Sequence, residues 1–110
     1  MNKEFVKYEQ ALALKELGFD EPCFGYYDEG GNLYTEMVEV LKAPLYQQAF
    51  RWIREKYNIH AEMVFSEKPD RFYYYIGNMV TGDMDRGTDM SYEEAELECL
   101  NTLIQIVKNK

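Results

Sequence analysis

The apolar residues of this chain change period from about 3.6 to 2 and back again along its length, which confines it to a mixed helix-and-strand architecture. Phe5, Tyr8 and Leu12, widened by Ala11, Leu14 and Leu17, make a helical stripe over residues 3–17. Gly18 follows where a left-handed residue closes a helix. Pro22 then forbids helix and opens an extended run over residues 23–27. Asp28-Glu29-Gly30-Gly31-Asn32 composes a turn, residues 33–37 return as a strand, and residues 38–43 read as linker. Pro44 suits the first turn of a second helix over residues 44–57, with Leu45, Ala49, Trp52, Ile53 and Tyr57 inward and Asn58 as its stop. Residues 59–65 and 72–77 flank a turn and form a second hairpin, and residues 78–90 are a polar loop. Ser91 and Glu94 spell a capping box that opens a third helix over residues 91–108. Its stripe is Tyr92, Ala95, Cys99, Leu100, Leu103, Ile104 and Val107.

The expected order is therefore αββαββα. That order gives an α+β fold, with a four-stranded antiparallel sheet and helices packed on one face. A chain of 110 residues has the size of one core, so a single domain over residues 1–110 is expected. An apolar content of 46%, with 15% aromatic, argues against disorder. Cys23 and Cys99 lie far apart, outside any zinc or redox spacing, and read as reduced thiols. There is no apolar h-region at the start and no long apolar run, so a cytoplasmic protein with no membrane partner is expected. No cofactor, structural metal or disulfide is expected either.

The net charge of −8 repels phosphate backbones and counts against direct nucleic-acid binding. The charge is uneven. Asp20, Glu21, Asp28, Glu29, Glu36 and Glu39 follow one another without a base, whereas Arg51, Arg54 and Lys56 gather on the second helix. Those cations are suited to a phosphate-bearing small ligand, or else form a solvated helix face.

Three candidate sites stand out. Counting from Asp83, oxygen ligands Asp83, Asp85, Ser91 and Glu94 fall at positions 1, 3, 9 and 12 of a calcium loop. Thr88 stands where that loop needs glycine, Arg86 adds a competing cation, and acids gather at helix starts for the dipole's sake alone. His60, the lone histidine, has no neighbour to activate, which favours a structural or exposed histidine. The ten tyrosines form the third candidate. Strand alternation puts Tyr73 and Tyr75 on one face of the second hairpin, opposite Phe72, Tyr74 and Ile76. Tyr26, Tyr27 and Tyr34 enrich the first. Such a face is a stacking platform, a self-association patch, or a half-buried sheet whose aromatic pairs only stabilise it. A ligand site joining this face to positive charge would use Arg51, Arg54, Arg71, Tyr73, Tyr75 and Tyr26.

Two stretches carry a resemblance: Gly18-Phe19-Asp20-Glu21-Pro22-Cys23-Phe24-Gly25-Tyr26-Tyr27, and Pro44-Leu45-Tyr46-Gln47-Gln48-Ala49-Phe50-Arg51-Trp52-Ile53-Arg54-Glu55-Lys56-Tyr57. Through them the chain resembles a family of small uncharacterised proteins that recur in gut bacteria and in their phages and prophages. The resemblance implies a small accessory protein, phage-encoded, working inside a bacterial host cell; it implies no chemistry. The leading expectation is a non-enzymatic binding protein that acts on a host factor or sequesters a nucleotide-like small ligand, in an anti-defence role. A homodimer through the tyrosine face goes with it. One rival is a small carboxylate- or metal-dependent hydrolase built on the loop from Asp83 to Glu94. The other is an acidic DNA-mimic inhibitor.

Overall fold

The computed structural model describes residues 2–35, 41–68, 70–79, 81–82 and 84–109. The chain divides into two compact units, Met1–Ala49 and Phe50–Lys110. After a short 3-10 turn at Asn2–Glu4, the elements are α1 (Tyr8–Glu16), β1 (Gly25–Tyr27), β2 (Leu33–Tyr34), β3 (Leu41–Ala43), α2 (Tyr46–Tyr57), β4 (Ile59–Phe65), β5 (Phe72–Asn78), β6 (Met84–Arg86) and α3 (Tyr92–Lys108). The division falls inside α2. The structure is α+β, but the expected four-stranded sheet is replaced by two antiparallel three-stranded ones, ordered β2-β1-β3 and β4-β5-β6. Two strands account for the change. β3 lies in the segment read as linker, and β6 lies in the segment read as polar loop.

In the first unit the helix starts later than its stripe suggests. Phe5 forms an isolated antiparallel bridge with Leu45, and the Val6 N–H donates to the Pro44 carbonyl at 3.0 Å, so residues 5–6 are extended. That pairing also keeps Pro44 out of α2, which begins at Tyr46. At the other end of α1 the expected closure is present. Gly18 takes φ 101°, its N–H reaches Lys15, and the Phe19 N–H reaches Leu14, the paired bonds of a Schellman ending. Phe5, Val6, Leu14, Phe19, Tyr27, Leu41 and Ala43 are buried. Side chains finish what the short strands begin. Asp28 Oδ1 accepts the Gly30 and Asn32 N–H groups at 2.9 Å each, and its Oδ2 accepts from Tyr34 at 3.0 Å. The buried Gln10 Oε1 accepts from Tyr46 Oη at 2.9 Å, and Tyr27 Oη donates to the Val6 carbonyl.

The second unit rests on a longer ladder. β4 and β5 pair over seven residues, from Ile59↔Asn78 to Phe65↔Phe72. Asn58 ends α2 at φ 59° and hands the chain straight to β4. α3 packs against β5 and β4. It starts on the expected box: Ser91 Oγ accepts the Glu94 N–H at 3.2 Å, and Glu94 Oε1 accepts from Ser91 Oγ at 2.8 Å. Ile59, Tyr74, Ile76, Cys99, Leu100 and Leu103 are buried. Tyr74 Oη lies 3.3 Å from Thr102 Oγ1, and Phe72 meets Tyr92 edge to face at 5.2 Å, so this is the face that α3 covers. No described helix is long and apolar enough to cross a membrane.

Candidate functional site

Strand alternation turns Tyr73, Tyr75 and Gly77 to the face of the sheet away from α3. Register then fixes their neighbours. On β4, Val64 stands opposite Tyr73, Glu62 opposite Tyr75 and His60 opposite Gly77. On β6, Arg86 stands opposite Tyr75 and Met84 opposite Gly77. The Arg86 guanidinium lies over the Tyr73 ring, 3.9 Å from its centroid. Tyr75 donates to the Met84 sulfur, and its ring passes 3.5 Å from the place where a Gly77 Cβ would stand. Along β4, His60 Nε2 lies 3.6 Å from Glu62 Oε2. Tyr73 and Tyr75 are half-buried, while Glu62, Met84 and Arg86 are exposed. The result is an aromatic floor with one stacked guanidinium.

Of the residues picked out in the sequence, this arrangement brings together Tyr73 and Tyr75. Arg51 and Arg54 are exposed on α2, and Arg71 is exposed in the turn leading into β5. Tyr26 lies in the first unit, with Tyr34 and Lys42 as cross-strand neighbours. The cation on the tyrosine face is Arg86, read in the sequence only as a competitor inside an acidic loop. The missing signal was strand β6: without it, nothing in the sequence puts residue 86 beside residues 73 and 75.

A cleft of about 490 Å³ opens near the same arginine, lined by Tyr74, Arg86, Gly87, Thr88, Asp89, Met90, Glu94 and Glu98. Asp89 Oδ1 is shielded from solvent without a hydrogen-bond partner, 3.9 Å from the Arg86 guanidinium, and Lys68 Nζ stands 3.8 Å from Oδ2. This region contains most of the acidic loop whose spacing was compared with a calcium loop. Its acids have other engagements. Asp85 Oδ1 accepts the Arg86 N–H at 2.8 Å, and Ser91 hydrogen bonds hold the Glu94 carboxyl below its ordinary range. Asp83 lies outside the described residues, and among those described no group of three His, Cys, Asp or Glu is placed to hold a metal ion. Gly87 is close-packed, since a Cβ there would fall 2.2 Å from the Tyr74 ring.

The thiols offer no nucleophile at neutral pH. Burial pushes Cys99 up to about 12 and Cys23 up to about 11, so both stay protonated. Neither a protein-family profile, nor a curated protein, nor a solved structure matches this chain.

Proposed function

We propose that the protein is a non-enzymatic binding protein that captures a small planar ligand carrying an anionic group, a nucleotide being the simplest case. The site is the sheet face of Tyr73, Tyr75 and Arg86. The observation that carries this reading is the Arg86 guanidinium stacked 3.9 Å above Tyr73, beside Tyr75. A guanidinium lying over a ring offers N–H donors to a phosphate or carboxylate, in the bidentate geometry arginine is suited to, and here a ligand would share it with Asp89, 3.9 Å away. A tyrosine ring alongside gives a planar base a stacking surface whatever its sequence of donors and acceptors. An acidic chain that holds an anion needs such a local cation. The family resemblance carried by residues 18–27 and 44–57 supports a setting inside a bacterial host cell, with the protein phage-encoded and sequestering a ligand used in defence.

Titration calorimetry with AMP and ATP tests the site. Binding by the wild-type chain should weaken about ten- to a hundredfold in Arg86→Ala, the loss of a charge-assisted hydrogen bond. Tyr75→Ala should weaken it comparably. Arg51→Ala and Arg54→Ala report whether α2 contributes. Absence of any heat at millimolar nucleotide, or full affinity in Arg86→Ala, would remove this reading.

A further inference from the structure

Glu62 puts an acid on the tyrosine face, and register sets it in one row with the cation. It stands opposite Tyr75 on one side, and Arg86 stands opposite Tyr75 on the other. Hydrogen bonds fix the type of each pair. The Ser66 N–H donates to the Arg71 carbonyl at 2.9 Å, so even-numbered residues of β4 make hydrogen-bonded pairs with β5. The Gly87 N–H donates to the Tyr74 carbonyl at 3.1 Å, which makes Tyr75 and Arg86 the closer, non-hydrogen-bonded kind of pair. The Cα atoms of Glu62 and Arg86 are therefore about 10 Å apart, with Tyr75 between them. The Tyr75 ring passes over Gly77, which has no side chain to lift it from the sheet, and its hydroxyl donates to Met84 Sδ. Glu62 is 55% exposed, with His60 Nε2 3.6 Å from its Oε2. A carboxylate has two oxygens and about four acceptor sites, so it can serve the histidine and a ligand together.

We infer that Glu62 selects the base, so that the nucleotide captured on this face is a guanine nucleotide. The selection rests on the nucleotide reading of the same face and adds to it the recognition of the base. The row orients the ligand. A carboxylate repels phosphate, so the phosphate belongs at Arg86 on the β6 side and the base edge points across Tyr75 toward β4. The Watson–Crick edge of guanine carries two adjacent donors, N1–H and the N2 amine. A carboxylate only accepts, and it takes both in a bidentate pair of charge-assisted bonds. Adenine offers its N6 amine beside the lone pair of N1, so one carboxylate oxygen gains a donor and the other meets an acceptor. Cytosine repeats that pattern, and uracil flanks its single donor with carbonyls. Stacking on Tyr75 accepts every base, whereas the acid at the end of the row discriminates among them.

Titration calorimetry of the full chain with GMP, IMP and AMP tests it. The wild type should bind GMP about tenfold more tightly than AMP, the worth of one charge-assisted hydrogen bond. IMP, which keeps N1–H and lacks the N2 amine, should fall between them. Glu62→Gln should reverse the order, because a glutamine amide accepts from adenine N6 and donates to adenine N1. A merely solvated Glu62 would produce no such reversal. Arg86→Ala should weaken all three ligands alike. Equal affinities for the three, all lost in Arg86→Ala, would overturn the base selection and leave the capture site standing. A GMP preference that persists in Glu62→Gln would remove Glu62 from the role. No heat with any of the three would overturn the selection and the capture reading together.

Discussion

The two three-stranded sheets solve the same problem by different means. In the first, β1, β2 and β3 are two or three residues long, too short for cross-strand packing to hold them, and side-chain hydrogen bonds supply the remaining order. Asp28 gathers the turn, Tyr27 reaches back to the Val6 carbonyl, and Gln10 receives Tyr46 inside the unit. In the second, seven continuous pairs and the stripe of α3 hold the sheet largely through apolar contact, with Asn78 and Glu96 buried in the same unit. A unit held by directed polar bonds is sensitive to single atoms. A unit held by packing is sensitive to volume.

The largest expected effect therefore lies in the second unit. Gly87→Ala places a Cβ against the Tyr74 ring, whose position is fixed by Thr102 and by burial, so overpacking should cost about 1–3 kcal/mol. A denaturant melt of this variant within a few tenths of wild type would mean that the ring can move aside, and that volume is not what limits this unit. Next comes Tyr27→Phe in the first unit. It removes one oxygen and leaves the Val6 carbonyl without its tyrosine donor, for a loss of about 1 kcal/mol measured in the same way. A neutral outcome would contradict the reliance of the short strands on polar bonds.

The smallest effect is a pH dependence at the β1–β2 turn. The Asn32 N–H, helped by the Asn32 amide, Tyr34 and Gly30, lowers the Asp28 carboxyl below aspartate's ordinary 3.8. A carboxyl lowered in the folded state contributes fully above its unfolded value, and the contribution fades as pH falls through the folded one. Hairpin resonances of Gly30 to Tyr34 should accordingly shift in acid with a midpoint below pH 3.8, and Asp28→Asn should abolish that step. A midpoint above 3.8 would show that the turn does not depend on the ionised carboxylate.

The same contrast explains what could be read from the sequence. α3, β4 and β5 are long enough to display a period, and Tyr73 and Tyr75 could be assigned a face because alternation over seven residues is unambiguous. β3 and β6 have three residues each, and every residue of β6 is exposed, so no burial alternation marks it. With β6 unread, Arg86 could not be placed over Tyr73, since that neighbourhood is made by pairing across strands. Phe5 misled for another reason. Its spacing to Tyr8 and Leu12 fits a helix, but its backbone is engaged by Leu45, a partner forty positions away. Helical spacing describes side chains. It does not show where the amide groups go.

Asn58 joins α2 to β4 through a single left-handed residue, with its N–H on the Arg54 carbonyl and its own carbonyl on Met79. That joint limits what mutation can do there. Only glycine, asparagine and aspartate enter this backbone region readily, so most single-base changes at the codon would carry a conformational penalty. Position 58 should therefore be a narrow gate in any lineage of this protein. In a library covering every substitution, selected for folded chain, glycine and aspartate should survive beside asparagine while valine and isoleucine drop out first. The exposed positions 54–56 just before it should drift far more freely.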